Sequence, residues 1–529
     1  MWHKGWRDEI WNNLNQNWDL IVIGGGITGA GVLRQATAIG LKTLLVEAHD
    51  FTFGTSSRSS KLVHGGFRYL REGQVKVTRE SVREREWMLR EAPNLVTKLG
   101  FLLADYESFK VPMAEFRLGV VIYDLLAPKW EHREYNAARM LKSIPGLRSD
   151  GLMGGFQYFD AAMDDSRIVL RILREAVQDG GTALSYARVE KILCDKNGIA
   201  CGVALQDTSG TLHRTAEVKT KVIINASGPW SDELRGQLGG DAHIRKLRGS
   251  HLIFSQKRWP LPTAATLIHP RDHRALFVIP WEGMSMIGTT DLDHPKELDD
   301  KYNEPFASQA EIDYLLEALN FLFPEVNASQ EDIVSTFGGV RPTIRSDDSD
   351  KPSQVSREHV LYEEKGMITI TGGKFTTFRL MSKQALKAAL TKLGENPKFK
   401  RPRIFDPLPI IRKSSLDPEI LRYQLGRHGA DTASMLKAAR PEELKPYESW
   451  CSIPAELRWA ARDEGVEHLD DLLLRRVRLG NLMNEGAQSL LPEFRKIVQP
   501  ELGWSDARWQ NEEKAYRETW KKYYSNKPG

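Results

Sequence analysis

The sequence predicts a mixed α/β protein in three parts. These are a Rossmann-like nucleotide-binding domain assembled from discontinuous segments, a β-sheet-containing second domain threaded between them, and a helical domain towards the C-terminal end. Three observations predict this. A strand, glycine turn, helix and second strand follow one another in residues 19–47, "DLIVIGGGITGAGVLRQATAIGLKTLLVE". Two later segments, "KVIINASGPWSDEL" (221–234) and "KGMITITGGKFTTFRL" (365–380), repeat the strand-to-glycine turn. After Pro402, Pro407 and Pro409, the stretches "PEELKPYESW", "EHLDDLLLRRVRLG" and "SDARWQNEEKAYRETWKKYY" carry helical periodicity.

Size and composition set the frame. A chain of 529 residues exceeds what one hydrophobic core usually supports, so two or three domains are expected. A net charge of +4 with 27% charged residues does not suggest nucleic acid, although it tolerates an anionic substrate or membrane surface. Cys194, Cys201 and Cys451 have neither metal-ligand spacing nor a disulfide framework, which points to a reducing compartment and no metal. No apolar run reaches the roughly 18–20 residues that cross a bilayer, and the N-terminus lacks a signal-peptide core. A cytosolic chain is expected, with any membrane contact peripheral.

The first element is the most informative. Residues 20–23 form a short apolar run that reads as a buried parallel strand. Gly24, Gly26 and Gly29, with Thr28 among them, then give G-x-G-x-x-G at the strand-to-helix turn, and the helix should run to about Ile39 and stop at Gly40. A second strand, 43–46, ends on Glu47. Glycines let the backbone approach a pyrophosphate, the helix N-terminus supplies N–H donors, and the carboxylate accepts ribose hydroxyls. No second G-x-G-x-x-G follows a strand, so one dinucleotide, permanently held, is expected rather than two. The two later glycine turns would complete this domain, with Lys374, Thr376 and Thr377 opening the last helix.

Taken together, "IVIGGGITGAG", "TSSRSSKLVHGGFRYL", "NASGPW", "GSHLIF", "FVIPWEG", "IGTTD", "FGGVRPT" and "GGKFTTFR" resemble the FAD-dependent glycerol-3-phosphate dehydrogenases of the D-amino-acid-oxidase-like flavoprotein superfamily. The resemblance covers about residues 18–395 and, more loosely, the helical tail. It departs at Gln35 and at Ile39-Gly40, where the family usually has an aspartate and an arginine-glycine, and at Phe378-Arg379, where it has Tyr-Arg. The resemblance implies an FAD-binding domain from residues 18–85, 150–250 and 335–395. A substrate-binding cap would be formed by 86–149 and 251–334, and a helical domain by 400–529, with 1–17 as an N-terminal extension. It further implies FAD as cofactor and oxidation of sn-glycerol 3-phosphate to dihydroxyacetone phosphate. Electrons would pass to a membrane quinone from a cytoplasmic protein lying peripherally on the inner face of the cell membrane, with a homodimer as a candidate assembly.

Within that reading, residues 55–70 form a loop between cofactor and substrate. Thr55, Ser56, Ser57 and Ser60 would direct hydroxyls and N–H groups at the pyrophosphate and ribityl chain, His64 would sit at the isoalloxazine, and Arg68 and Tyr69 would face the substrate. Leu62, Val189, Gly228, Trp230, Gly339, Gly373, Lys374, Phe375 and Thr376 complete the implied cofactor set. Oxidising a secondary alcohol requires removal of the hydroxyl proton and transfer of hydride to flavin N5, so a base or a cation must meet that hydroxyl. Arg341 is placed closest to it by family position, with His64 and His251 as alternative catalytic groups. Arg357 and Arg68 would hold the phosphate, because a guanidinium binds such oxygens bidentately, while Thr290 and Lys374 are further substrate contacts. A solvated serine loop and surface ion pairs are the bland alternatives. Two rival functions stand beside the first: an amine or 2-hydroxy-acid oxidase using oxygen, and a non-catalytic flavin-binding regulator. For membrane contact, the stretch "MAEFRLGVVIYDLLAPKW" (113–130) and the N-terminal Trp2, Trp6, Trp11 and Trp18 could rest at a headgroup interface or pack on the protein's own core.

Overall fold

The computed structural model describes residues 2–66, 75–107, 113–126, 131–210, 212–298, 304–345, 358–396, 402–447 and 451–527. Buried apolar strands nucleate the nucleotide-binding sheet. In Trp18–Ile23 all but one residue is buried, and the strand pairs in parallel with Thr43–Val46 on one side and Thr215–Asn225 on the other. Met367–Gly372 extends the sheet in parallel beyond Thr215–Asn225, Thr182–Leu184 extends it beyond Thr43–Val46, and His359–Glu364 closes one edge antiparallel. Helices Ile27–Ala38, Asp165–Gln178 and Phe378–Lys392 pack together. The first stops just before Gly40, whose φ of +87° ends the helix as expected.

A second, ten-stranded sheet is mostly antiparallel. Its centre is the pairing of Val96–Tyr106 with Leu152–Met163, and of Ile244–Ser255 with Met284–Gly288 and Ile333–Ile344. Ala264–Ile268 and Ala275–Trp281 join the two halves. Leu62–Val63, the end of the cofactor loop, adds a strand to its edge. Sheet membership divides the chain differently from the sequence-based boundaries. Leu152–Met163 and residues 335–344 of the strand Ile333–Ile344, expected with the nucleotide domain, pair in the second sheet, because long antiparallel registers with Val96–Tyr106 and Ile244–Ser255 satisfy their backbone there.

The C-terminal part is helical, with Pro418–His428, Pro454–Asp463, Leu491–Leu502 and Asp506–Tyr523 as its longer elements. Its core does not stand alone. Leu472, Leu473, Trp509 and Tyr516 share one buried cluster with Phe101, Trp281 and Phe337 of the second sheet.

The N-terminal tryptophans are buried rather than presented to a headgroup layer. Trp2, Trp6, Trp11 and Trp18 are each less than 10% exposed. The Trp2 ring stacks on Phe51 at 4.9 Å, and its backbone bridges to Glu464. Arg7 donates to Asp207 at 2.7 Å. The other segment considered for membrane contact forms helix Met113–Leu126, with Tyr123 buried and Leu125 66% exposed. Among the described residues no helix is long and apolar enough to cross a membrane.

Candidate active site

A cavity of about 560 Å³ runs from the ends of the parallel strands to the face of the second sheet. Its nucleotide end is made of backbone. Gly24 has φ +111°, and a Cβ there would meet the Ala226 carbonyl oxygen at 2.5 Å; a Cβ on Gly29 would lie 1.9 Å from the Gly24 oxygen. Only glycine fits either position, so strand and helix approach more closely than side chains permit. Gly26 and Thr28 line the opening at the helix start, where Gly26 has no side chain to cap the helix. The Ile27 amide donates instead to Ser56 Oγ at 2.9 Å.

Glu47 ends the second strand with its carboxylate fixed. Oε2 accepts from the Gly25 amide at 2.6 Å and Oε1 from the His49 amide at 2.9 Å. Burial pushes its carboxyl above the ordinary value, against the pull of these two amides. A carboxylate has about four lone-pair positions, so acceptor capacity remains on the cavity side. Arg188 and His49 border the same end, with Arg188 Nη2 3.5 Å from His49 Nε2.

The middle is lined by Gly54, Thr55, Ser56, Ser60, Leu62, His64, Val189, Gly228, Trp230, Gly339, Gly373, Lys374, Phe375 and Thr376, all within the expected set except Gly54. Thr55 Oγ1 donates to the Val340 carbonyl at 2.5 Å, and Lys374 Nζ donates to Ser81 Oγ at 3.2 Å. Trp230 packs over Gly54, and its buried Nε1 has no hydrogen-bond partner among the described residues. Ser57 differs from its neighbours. Its carbonyl accepts from Lys61 and Arg478 on the far side of the loop, and it borders a separate small void.

At the other end, strands of the second sheet bring charged groups together. Arg341 Nη1 donates to Asp291 Oδ1 at 2.9 Å and Nη2 to Thr289 Oγ1 at 3.0 Å. Arg274 approaches the other oxygen of Asp291 at 3.7 Å and donates to the Thr289 carbonyl at 3.4 Å. His251 Nε2 lies 2.8 Å from Ser60 Oγ, its ring stacks on Phe337 at 4.7 Å, and its Nδ1 has no hydrogen-bond partner among the described residues. Burial, reinforced by Arg341 and Lys61, holds this imidazole well below the usual histidine value. It is therefore a neutral ring at ordinary pH. Asp160 lines the wall beside His64, accepting from the Gly65 amide at 2.9 Å, Tyr123 at 2.5 Å and Arg85 at 2.7 Å.

Besides Ser57, two sequence expectations change here. Thr290 does not face the cavity: its hydroxyl donates to buried Glu311 at 2.6 Å and accepts from the Ser250 amide at 2.9 Å. Its neighbour Thr289 lines the cavity instead. Gly29 serves as the close-packing glycine beneath the turn and is not itself part of the lining. Arg68, Tyr69 and Arg357 lie outside the described residues. Arg274, Asp291, Asp160 and Arg188 were not singled out from the sequence. Arg274 could have been, since it stands just ahead of the apolar run "FVIPW".

The site suits a dinucleotide ending in a flat ring. It offers a glycine turn closed to any Cβ, a fixed carboxylate at the far strand, a buried indole N–H without a hydrogen-bond partner among the described residues, and a broad apolar middle. Comparison with known proteins agrees. The sequence profile described as "FAD dependent oxidoreductase" matches residues 19–383, and the "C-terminal domain of alpha-glycerophosphate oxidase" matches residues 372–509. An aerobic glycerol-3-phosphate dehydrogenase from Staphylococcus haemolyticus is 36% identical over 74% of this chain and 71% of its own length. The protein of that name from Staphylococcus saprophyticus is 32% identical over 89% of this chain and 88% of its own length. Among solved structures, the glycerol-3-phosphate dehydrogenase from Bacillus halodurans, complexed with FAD, is 27% identical and covers 98% of both chains with a TM-score of 0.76. The L-alpha-glycerophosphate oxidase from Mycoplasma pneumoniae, at 18% identity and a TM-score of 0.57, shares the fold.

Proposed function

The chain belongs to the FAD-dependent oxidoreductase family, and from that premise we propose that it oxidises sn-glycerol 3-phosphate to dihydroxyacetone phosphate. The observation that carries the reading is the grouping of Arg341, Arg274 and neutral His251 at the end of a nucleotide cavity. When bound, FAD supplies the hydride acceptor. Gly24, Gly26, Thr28 and Glu47 would hold its nucleotide half, while Thr55, Ser56, Ser60 and the 373–376 turn would flank the rest. The protein's own task is to fix a charged alcohol and take its hydroxyl proton.

Arginine never loses its charge and presents paired donors, so Arg341 and Arg274 suit the doubly charged phosphate ester and the oxygen that gains negative charge. His251 is the proton acceptor, its ring held between Phe337 and Ser60. Lys374, at the start of the last helix, places a cation beside the flavin position. Arg68 and Arg357 are retained as additional phosphate contacts.

The electron acceptor is proposed to be a membrane quinone. The relatives at 36% and 32% identity are named dehydrogenases rather than oxidases, which favours an acceptor other than oxygen, and Leu125, exposed on helix Met113–Leu126, offers an apolar contact for peripheral binding at the inner face of the membrane. The test of the central reading is anaerobic addition of glycerol 3-phosphate to the purified yellow protein. Bleaching of the flavin band is expected, and a band that persists overturns the proposal. A peroxide assay in air, with and without a soluble quinone, separates quinone from oxygen. Rapid stoichiometric peroxide would sink the quinone assignment.

A further inference from the structure

Building on the cofactor reading above, we infer that the C-terminal helical unit grips the cofactor loop, residues 50–61, from behind, with Arg478 as its positioning residue. The front of this loop faces the cavity through Gly54, Thr55, Ser56 and Ser60. Its back has no sheet or helix of its own to satisfy it, and a buried loop must place every polar group somewhere. Arg475, Arg476, Arg478 and Tyr524 supply part of that network, together with Lys61, Asp165 and Glu304.

Asp50 is fully buried. It accepts from Arg475 Nε at 2.5 Å and from Arg476 Nη1 and Nη2 at 2.6 and 2.7 Å. The Ser57 carbonyl accepts from Lys61 Nζ at 2.6 Å and from Arg478 Nη1 at 3.2 Å. Arg478 also donates to Asp164 at 3.2 Å and to Asp165. Asp165 in turn accepts from the Ser59 amide at 3.0 Å and from the Ser59 hydroxyl at 2.7 Å. On the other flank, Arg58 Nη2 and the Tyr524 hydroxyl donate to the same oxygen of Glu304, at 2.6 and 2.5 Å.

Arg478 is central for two reasons. Its guanidinium bonds both the loop carbonyl and the carboxylate that holds Ser59, so it fixes two consecutive turns of the loop at once. Its backbone sits at φ +64°, a left-handed conformation uncommon for a residue with a side chain, retained where surrounding contacts over-determine it. A buried ionic network of this kind is weak as a source of stability but strong in fixing one geometry. The geometry fixed here is that of the hydroxyls on the loop's front face. Pre-arranged groups bind without first losing conformational freedom, so the grip should appear as cofactor affinity.

The test compares full-length Arg478→Lys, Tyr524→Phe and Arg458→Lys with the natural sequence. Arg458 is another buried arginine of the same unit that pairs with Glu443 and Glu501, away from the loop. Apoprotein is prepared, FAD is titrated back by fluorescence quenching, and thermal melts of the apoproteins report folding. Arg478→Lys is expected to weaken FAD binding roughly tenfold or more, and Tyr524→Phe about threefold. Arg458→Lys should lower the melting temperature without changing FAD affinity. Unchanged affinity in both loop-facing variants overturns the inference, as does equal weakening by Arg458→Lys, which would mean general destabilisation. If Arg478→Lys fails to fold, Tyr524→Phe decides alone. Wild-type apoprotein that takes up no FAD would instead sink the cofactor reading, and this inference with it.

Discussion

The two ends of the cavity are built from different materials. The nucleotide end is backbone and glycine, drawn from one contiguous unit plus two short turns. The substrate end is side chains, with Arg341, Arg274, His251 and Asp291 arriving from separate segments that meet only through sheet pairing. Backbone can recognise a phosphate or a ribose because these are common to all dinucleotides. Distinguishing one small alcohol from another takes groups that can be exchanged singly without disturbing the turn that holds the cofactor. Damage at one end should therefore leave the function of the other measurable.

The sharpest break comes at Arg341. Arg341→Ala should lower kcat/KM by about a thousandfold while the protein stays yellow; turnover near wild type would remove Arg341 from the chemistry. At the opposite end, Gly29→Ala forces a Cβ into the Gly24 oxygen. It should weaken FAD binding by about a hundredfold, or ~2.7 kcal/mol, with turnover per bound flavin nearly unchanged. Full flavin content with depressed turnover would contradict the division. Arg274→Met should raise KM for glycerol 3-phosphate by about ten- to a hundredfold, yet barely alter that for glycerol. Equal effects on the two would show that it does not meet the phosphate.

Two pH effects are smaller. Because burial and Arg341 depress His251, kcat/KM should show no histidine break near pH 6.5. Loss of activity through this group should come only at lower pH, as the imidazole gains a proton. A break near 6.5 that vanishes in His251→Asn would show the ring to be solvated. Remote from both ends, burial raises Glu175 from 4.5 to about 7 against the pull of Arg171. The folded state then binds the extra proton between these values, so stability from this group is full below about pH 4.5 and is lost as pH rises through 7. Glu175→Gln should flatten that part of the melting-temperature profile. An unchanged slope would assign it elsewhere.

The same contrast explains what could be read from the sequence. The glycine turn, Glu47 and the second strand are close in the chain, so their spacing alone conveys their geometry. Loop residues 55–57 were read as one hydroxyl face, but they form a 3₁₀ turn, in which three residues complete a revolution. Thr55 and Ser56 thus reach the cavity while Ser57 turns its back to it. Thr289, not Thr290, lines the cavity, because both lie in the turn after Met284–Gly288 and Thr290 is taken up by Glu311 and the Ser250 amide. The pairing of Arg274 with Asp291 has no local signal, because what brings the two together is the register of Ala275–Trp281 against Met284–Gly288. The N-terminal tryptophans illustrate a different limit: an apolar face destined for lipid and one destined for the protein's own core have the same pattern.

The contact between Arg478 and Ser57 spans 421 residues. At about 5–20 residues per second, roughly 20–85 s of synthesis separate the two partners. During that interval the glycine turn, the first helix and Glu47 have already left the ribosome, but the loop above them lacks the guanidinium at its back. On that inference full cofactor affinity is deferred until the polypeptide is almost finished, and a nascent fragment arrested before Arg478 should hold FAD more weakly than the complete chain.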